Sequence, residues 1–216
     1  MSKQTIWQRL KAKGFSDIAV AAIMGNLEAE SNCISNRIQG DFTKGYQRSA
    51  QYTAQVDAGN IDRHEFIYDG PGGGGYGLAQ WTLQSRKAGL YDFAKKMGTS
   101  IGDEAMQIEW LCQELQLNEY KKVLETLKAS PSIRECSDVV MKLYERPADQ
   151  SEAALRQRSE FGRAMYQELS KCEAEDPEGI PDDGTINITQ EDFKTYTKAL
   201  LVVKTLKDLI TLIKEL

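Results

Sequence analysis

The stretch IAVAAIMGNLEAES, residues 18–31, decides the fold of this chain. Its first part is apolar on every side, which is typical of a helix that other helices enclose. Ser16 or Asp17 can cap its N-terminus, and its last turn is polar, with the two glutamates Glu28 and Glu30. The sequence therefore predicts a central buried helix whose C-terminal end reaches a polar region.

Helical periodicity recurs on both sides of this stretch, with Thr82 as a plausible cap for one of the later helices. The predicted helical segments are residues 7–13, 83–98, 100–115, 133–146 and 151–171. Residues 33–75 differ, because they are rich in Gly, Asp, Thr, Gln and Tyr and lack helical periodicity. We expect irregular structure there, with short strands or hairpins. The predicted fold class is α+β, mainly α, with a helical body and a small β-containing lobe that flank a cleft.

The composition changes near the C-terminus. Residues 172–190 are acidic and contain two prolines and two glycines, which is typical of a linker. In residues 191–216 the apolar residues recur at heptad spacing, which predicts an amphipathic helix. Such a helix can self-associate, dock on a partner or pack on its own domain. The predicted organisation is a domain of residues 1–171, a linker and a C-terminal helix.

The chain has 216 residues, a formal net charge of −5 and 41% hydrophobic residues. This balance gives no electrostatic footprint for nucleic acid or an anionic membrane, and no apolar run approaches the ~20 residues of a membrane span. The N-terminal residues lack the apolar core of a secretory signal, so we expect synthesis in the cytoplasm and delivery by another route. With His64 as the single histidine and no CxxC, neither a metal site nor a cofactor is predicted. The four cysteines are expected to be unpaired thiols.

Glu30 is the first candidate catalytic residue. It lies on the helical face of Ile23 and Leu27, whereas Glu28 is rotated away by ~200°, so the two carboxylates cannot point into one site. Partial burial at the helix end would raise the pKa of the Glu30 carboxyl, as a general acid requires. The alternative is a solvated helix terminus with two surface glutamates.

The second candidate region is FIYDGPGGGGYGLAQWT, residues 66–82. Its glycines let the backbone approach a ligand closely, and Tyr76, Gln80 and Trp81 offer the stacking and hydrogen bonds that a sugar requires. The alternative is a mobile loop with one buried tryptophan. No GK[ST] follows, so a phosphate-binding loop has little support.

A second carboxylate could come from the polar lobe. A two-carboxylate glycosidase holds its carboxyl groups ~5 to 9 Å apart across the scissile bond. Asp69 is the best placed, because it adjoins the glycines, although surface solvation is the alternative for each acid. The candidates are Asp41, Asp57, Asp62, Glu65 and Asp69.

Taken together, GNLEAES (25–31) and GYGLAQWT (75–82) resemble the phage tail lysozyme family. This family belongs to the lysozyme-like superfamily, with the goose-type lysozymes and lytic transglycosylases. Four further stretches are similar to prophage-encoded members from clostridia-like Gram-positive bacteria. They are YTAQVDAG (52–59), RKAGLYDFAK (86–95), SIGDEAMQ (100–107) and YERPAD (144–149). The resemblance covers roughly residues 5–170.

The resemblance implies a lysozyme-like fold with a cleft for the glycan strands of peptidoglycan. Glu30 matches the superfamily's catalytic acid, and Gly77, Leu78, Ala79 and Gln80 match its substrate-lining segment, with Ala79 in place of Met. The implied activity is that of a muramidase, which cleaves the β-1,4 bond between N-acetylmuramic acid and N-acetylglucosamine. The alternatives are a lytic transglycosylase and a non-catalytic wall-binding or tail-assembly module. The expected location is a phage tail or, after release, the host cell wall.

Overall fold

The computed structural model describes residues 3–70 and 74–172. The predicted linker, apart from Cys172, and the predicted C-terminal helix lie outside these residues. Nine α-helices make up most of the described chain, and none of them is long and apolar enough to cross a membrane. They are α1 (Lys3–Ala12), α2 (Asp17–Ser31), α3 (Gln47–Asp57), α4 (Arg63–Tyr68), α5 (Gln84–Met97), α6 (Glu104–Glu114), α7 (Lys121–Ala129), α8 (Ile133–Val139) and α9 (Glu152–Cys172).

Helix α2 is the centre of the core, as the sequence predicts. Every residue from Ala19 to Leu27 is buried, so the helix has no solvent-facing side along this length. The Ser16 hydroxyl accepts a hydrogen bond from the Ala19 N–H and caps the N-terminus. At the other end, Asn32 adopts the left-handed conformation that ends a helix. The mainly helical fold class is therefore confirmed.

Helix α9 crosses α2 at a pair of glycines. A Cβ atom added to Gly25 would lie 2.3 Å from the carbonyl oxygen of Arg158 and 2.6 Å from the backbone nitrogen of Gly162. A Cβ atom on Gly162 would lie 2.7 Å from the carbonyl oxygen of Ala21. The missing side chains thus let the two backbones touch. This close approach brings the Arg158 side chain to the end of α2.

The lobe differs from the prediction. Residues 33–75 contain the helices α3 and α4, and the β-pairing in the described residues is limited to the isolated bridges of Tyr76 with Ile38 and with Trp81. The expected short strands or hairpins are therefore wrong for the helical segments. The buried side of α3 includes the polar residues Ser49 and Thr53. The regular spacing of apolar residues that predicts a helix is therefore missing from this segment.

The remaining predicted helices show three further differences. Thr82 does not cap α5: the cap position is Leu83, and the Thr82 hydroxyl donates to the carbonyl of Gln80, two residues back. Helix α6 begins at Glu104 rather than at Ser100, since the Asp103 carboxylate accepts from the Met106 N–H and caps it. Helix α8 continues as a π-helical turn, Val140–Glu145, which the 3.6-residue pattern could not distinguish from ordinary helix.

The cysteines are unpaired as far as the structure describes them. Cys33, Cys112 and Cys136 are free thiols, which confirms that prediction for these three residues. Burial raises the pKa of the Cys112 thiol to about 12 and that of Cys33 still further. Thiols with raised pKa values are poor nucleophiles, so their role is packing.

Candidate active site

Glu30 lies at the C-terminal end of α2 and forms an ion pair with Arg158. The Nη2 atom of Arg158 donates to Oε1 of Glu30 at 2.6 Å, and its Nη1 atom donates to the Asn26 side chain at 3.2 Å. The Glu30 side chain is 18% exposed. Glu28 pairs instead with Lys3 at 2.7 Å. The two glutamates thus have different partners, and only Glu30 faces the buried guanidinium.

The end of α2 is tied to the segment GYGLAQWT. The Ser31 hydroxyl donates to the carbonyl of Leu78 at 2.8 Å, and the Leu78 N–H donates to Gln107 at 2.9 Å. The Gln107 amide also donates to the carbonyls of Ser35 and Ile101. Through these bonds the residue after Glu30 is fixed to the predicted substrate-lining segment. The structure therefore brings the two candidate regions together.

The two aromatic side chains that were expected to contact a sugar are buried. Tyr76 is 1% exposed and its hydroxyl shares a 2.7 Å hydrogen bond with Thr53, while Trp81 is fully buried and donates from Nε1 to Glu114 at 2.6 Å. Neither ring has an open face for a sugar, so the alternative of a buried tryptophan describes Trp81. Both rings instead hold the segment against the core.

Gly77 and Gln80 shape the same segment. Gly77 has a φ of +79°, and a Cβ atom there would lie 2.7 Å from the Gln107 side chain, so only glycine fits. Gln80 is partly exposed, and its side-chain nitrogen donates to the carbonyls of Arg37 and Gly77. Among the predicted sugar-contacting side chains, Gln80 is thus the one with accessible surface.

A buried ion pair lies behind the segment. Arg86 from α5 donates to both carboxylate oxygens of Glu114 at 2.8 Å, and Glu114 is 2% exposed. The same carboxylate accepts from Trp81 and from the Tyr144 hydroxyl at 2.7 Å. Charge-assisted bonds of this kind are strong when every partner is satisfied. Glu114 therefore joins the segment, α5, α6 and the π-helical turn.

Glu145 is the last residue of the π-helical turn, and no sequence motif marks it as a candidate. Its Oε1 atom is buried, and no hydrogen-bond partner for it lies in the described part of the chain. Burial, followed by the negative charge of Glu30, raises the pKa of Glu145 well above its ordinary value, although Arg86 and Arg158 oppose this. Desolvation of this strength is frequent at active sites.

Four of the five lobe acids have structural partners. Asp41 is fully buried, which would raise the pKa of its carboxyl group. The four hydrogen bonds that it accepts from the backbone and side chains of Thr43 and Ser49 outweigh this and hold its pKa far below the ordinary value. Asp57 accepts from the Ser100 hydroxyl and the Ile101 N–H. Asp62 and Glu65 form the capping box of α4. These four acids therefore serve the fold of the lobe.

Asp69, the predicted second carboxylate, is the fifth. Its side chain is 68% exposed and lies 3.9 Å from the exposed ring of His64. It follows α4 directly, at the start of the glycine-rich stretch. Two exposed rings also belong to the lobe, Phe42 at 88% and Tyr68 at 55%. The lobe thus presents the Asp69 carboxylate and these two aromatic faces to solvent.

Lys87 places a buried amine beneath the glycines. Its side chain is 1% exposed, its Nζ lies 4.8 Å from the centre of the Phe66 ring, and a Cβ atom on Gly70 would lie 2.5 Å from Nζ. Burial lowers the pKa of Lys87 to about 8. Keeping the Lys87 amine charged in the folded protein therefore costs stability.

We expect Lys87→Met to stabilise the protein by about 1–2 kcal/mol at pH 7, because it removes a desolvated ammonium and keeps an apolar chain. Between pH 8 and 10.5 the unfolded lysine binds more protons than the folded one, so the wild type gains stability as the pH rises. The advantage of the variant should therefore shrink over this range. Urea unfolding of both proteins at pH 7, 8.5 and 10 checks this. A difference that does not change with pH would contradict it.

No cluster of three or more His, Cys, Asp or Glu side chains suited to a metal ion occurs within residues 3–70 and 74–172. The family model described as phage tail lysozyme matches residues 2–169, which is most of the chain and includes the whole arrangement around Glu30. No curated protein sequence matches the chain.

Proposed function

Because the chain belongs to the phage tail lysozyme family, we propose that its lysozyme-like action on peptidoglycan is that of a muramidase with Glu30 as the general acid. The observation that carries this assignment is the position of Glu30. Its partly exposed carboxyl group lies in the last turn of the central buried helix. The next residue, Ser31, is hydrogen-bonded to Leu78 in the predicted substrate-lining segment. A rigid helix and a fixed loop hold a catalytic group more precisely than a free loop could.

In the proposed reaction, Glu30 in its protonated form gives its proton to the glycosidic oxygen as the bond from that oxygen to C1 of N-acetylmuramic acid breaks. The positive charge that develops at C1 is quenched by water. Water loses one proton as it adds, and that proton restores the acid form of the carboxyl. Arg158 holds the Glu30 side chain in place between turnovers.

Asp69 is the proposed second carboxylate of the hydrolase mechanism, either facing the charge at C1 or holding the attacking water. We expect Asp69→Asn to lower the rate of hydrolysis about tenfold or more, because two carboxylates share the work in most glycosidases. Initial rates on purified peptidoglycan measure the effect. Asp92→Asn is a suitable control, since Asp92 is 57% exposed and pairs only with the surface residue Arg63 among described residues. Equal rates for Asp69→Asn and the wild type would remove Asp69 from the mechanism.

One observation favours a lytic transglycosylase as the second candidate. The four other lobe acids are engaged in caps and turns, and Asp69 is largely exposed. A transglycosylase needs one catalytic carboxyl, because the muramic acid's own C6 hydroxyl attacks C1 and water is not consumed. Glu30 can serve that reaction unchanged.

Mass spectrometry of the products from purified peptidoglycan tests the proposal. New reducing ends on muramic acid would support the muramidase, whereas 1,6-anhydro ends would establish the transglycosylase. Binding to the wall without any cleavage would favour the non-catalytic module. We propose that the protein meets its substrate as part of a phage tail or after release to the host wall. Its predicted C-terminal helix would provide self-association or docking on a tail component.

A further inference from the structure

Three carboxyl groups and two guanidinium groups interact around the end of the π-helical turn. Each guanidinium already has a carboxylate partner: Arg86 binds Glu114 through two 2.8 Å contacts, and Arg158 binds Glu30 at 2.6 Å. The third carboxyl group, that of Glu145, has a buried oxygen with no hydrogen-bond partner in the described residues. If all five groups were ionised, the cluster would carry an uncompensated negative charge at a largely buried site.

An unpaired buried carboxylate is one of the most costly groups that a protein can hold, and it takes up a proton instead. Among the three carboxyl groups, Glu145 is the one without a guanidinium contact. It is therefore the group on which the proton resides in the resting state, and the cluster is then neutral.

We propose that Glu145 is the proton-holding partner of Glu30, with the two carboxyl groups sharing one proton and Arg158 balancing whichever of them is ionised. The proposal rests on the proposed function, because it assumes that Glu30 is the acid that meets the glycan. Glu145 is a positioning residue in this scheme, since it acts on the substrate only through Glu30.

The charges around Glu145 come from four elements. Glu30 belongs to α2 and Glu114 to α6, and both disfavour a negative charge on Glu145. Arg86 from α5 and Arg158 from α9 favour one. The neighbouring hydroxyl of Tyr144 is occupied with Glu114. Arg158 contacts Glu30 and also favours a negative charge on Glu145, so it can balance the charge on either carboxyl group.

Protons are conserved over the proposed catalytic cycle. The proton moves from Glu145 to Glu30, and the negative charge moves from Glu30 to Glu145. Glu30 then gives the proton to the glycosidic oxygen as the bond to C1 breaks. The nucleophile that attacks C1, water or the C6 hydroxyl, releases one proton as it adds, and this proton restores the pair. The scheme is the same for both candidate reactions.

The π-helical turn is what positions Glu145. Its wide turn ends where the Arg146 N–H donates to the carbonyl of Met141 at 2.8 Å and Arg146 adopts a left-handed conformation with a φ of 52°. Pro147 follows and stops any further helix. π-Helical turns are rare and are frequent at functional sites, where they redirect a side chain. Here the redirected side chain is that of Glu145.

The test is the pH profile of peptidoglycan cleavage by the wild type and by Glu145→Gln. The amide matches the neutral carboxyl in shape but cannot give up a proton. In this variant no neighbouring carboxyl group can return a proton to Glu30, which remains in contact with Arg158. We expect Glu145→Gln to lose at least tenfold in rate at pH 7, with the alkaline limb of its profile shifted by one unit or more to lower pH.

Glu119→Gln is the matched control, because Glu119 is an exposed acid in the turn before α7. Its pH profile should be that of the wild type. Glu145→Gln should be at least as resistant to unfolding as the wild type at pH 7, since the folded wild type must keep a proton there that the unfolded chain releases. An unchanged alkaline limb for Glu145→Gln would overturn the proposal.

A second measurement does not depend on activity. Carbon-13 NMR of glutamate carboxyl groups at pH 7 should show a protonated-carboxyl signal in the wild type that is absent from Glu145→Gln. If the wild type fails to cleave glycan, the proposed function fails and the spectrum alone decides the proton's place. An ionised Glu145 at pH 7 would overturn the inference even in an active enzyme.

Discussion

Replacing Glu30 by glutamine is expected to lower the rate of glycan cleavage by about 10²–10⁴-fold, the usual contribution of a positioned general acid. The amide keeps the size of the carboxyl and an oxygen that can accept from Arg158, but it has no proton of suitable acidity to give to the leaving oxygen. Initial rates on purified peptidoglycan measure the loss. Binding of the variant to the same peptidoglycan should persist, because the substitution removes a proton donor and leaves the surrounding surface in place.

Glu28→Gln is the control that makes this result specific. Glu28 lies in the same turn of α2 and is also ion-paired, with Lys3 at 2.7 Å, where the lysine side chain is 43% exposed. The Glu28 side chain is 18% exposed, like that of Glu30, which makes it a matched control. We expect Glu28→Gln to lose about 1 kcal/mol of stability and to cleave at a rate close to that of the wild type. A folded Glu30→Gln protein that cleaves at the wild-type rate would remove Glu30 from the acid role. Equal losses in both variants would indicate damage to the helix end.

The central part of the fold was predictable because it depends on local patterns. The all-round apolar stretch of α2 and its Ser16 cap follow from short-range chemistry, and the structure has both. Helix α3 was missed because its buried face is partly polar: Ser49 bonds Asp41, and Thr53 bonds Tyr76. A hydrophobic pattern has no signal for a face that packs through hydrogen bonds.

The candidate site likewise combines a residue that the sequence pattern predicts with residues whose positions depend on distant parts of the chain. Glu30 is predictable as a candidate because its helical face and its place at the helix end follow from the spacing of residues along the sequence. Arg158 lies 128 positions away and reaches Glu30 only because two glycines let α9 approach α2. Glu145 depends on a π-helical turn, which changes the direction of a side chain without changing the sequence pattern. The burial of Tyr76 and Trp81 likewise depends on partners from distant elements.

The crossing of α2 and α9 gives the second large effect. We expect Gly25→Ala to lower the free energy of unfolding by about 3 kcal/mol or more, at the upper end of the cost of overpacking. The new Cβ atom would lie 2.3 Å from one backbone atom of α9 and 2.6 Å from another. Backbone atoms cannot rotate away, so α9 as a whole must shift. The gain of about 1 kcal/mol in helix propensity from glycine to alanine does not offset this.

Gly89→Ala separates this clash from a general intolerance of alanine at helical glycines. Its Cβ atom would also meet a neighbour at 2.3 Å, but that neighbour is the ring of Trp110, a partly exposed side chain that can turn aside. Urea unfolding should therefore show a change of about 1 kcal/mol or less for Gly89→Ala. Any Gly25→Ala protein that still folds should also cleave glycan slowly, because a shifted α9 moves Arg158 away from Glu30. Similar stability for the two variants would mean that the helices can separate without cost, and the glycine contact would not be what aligns the ion pair.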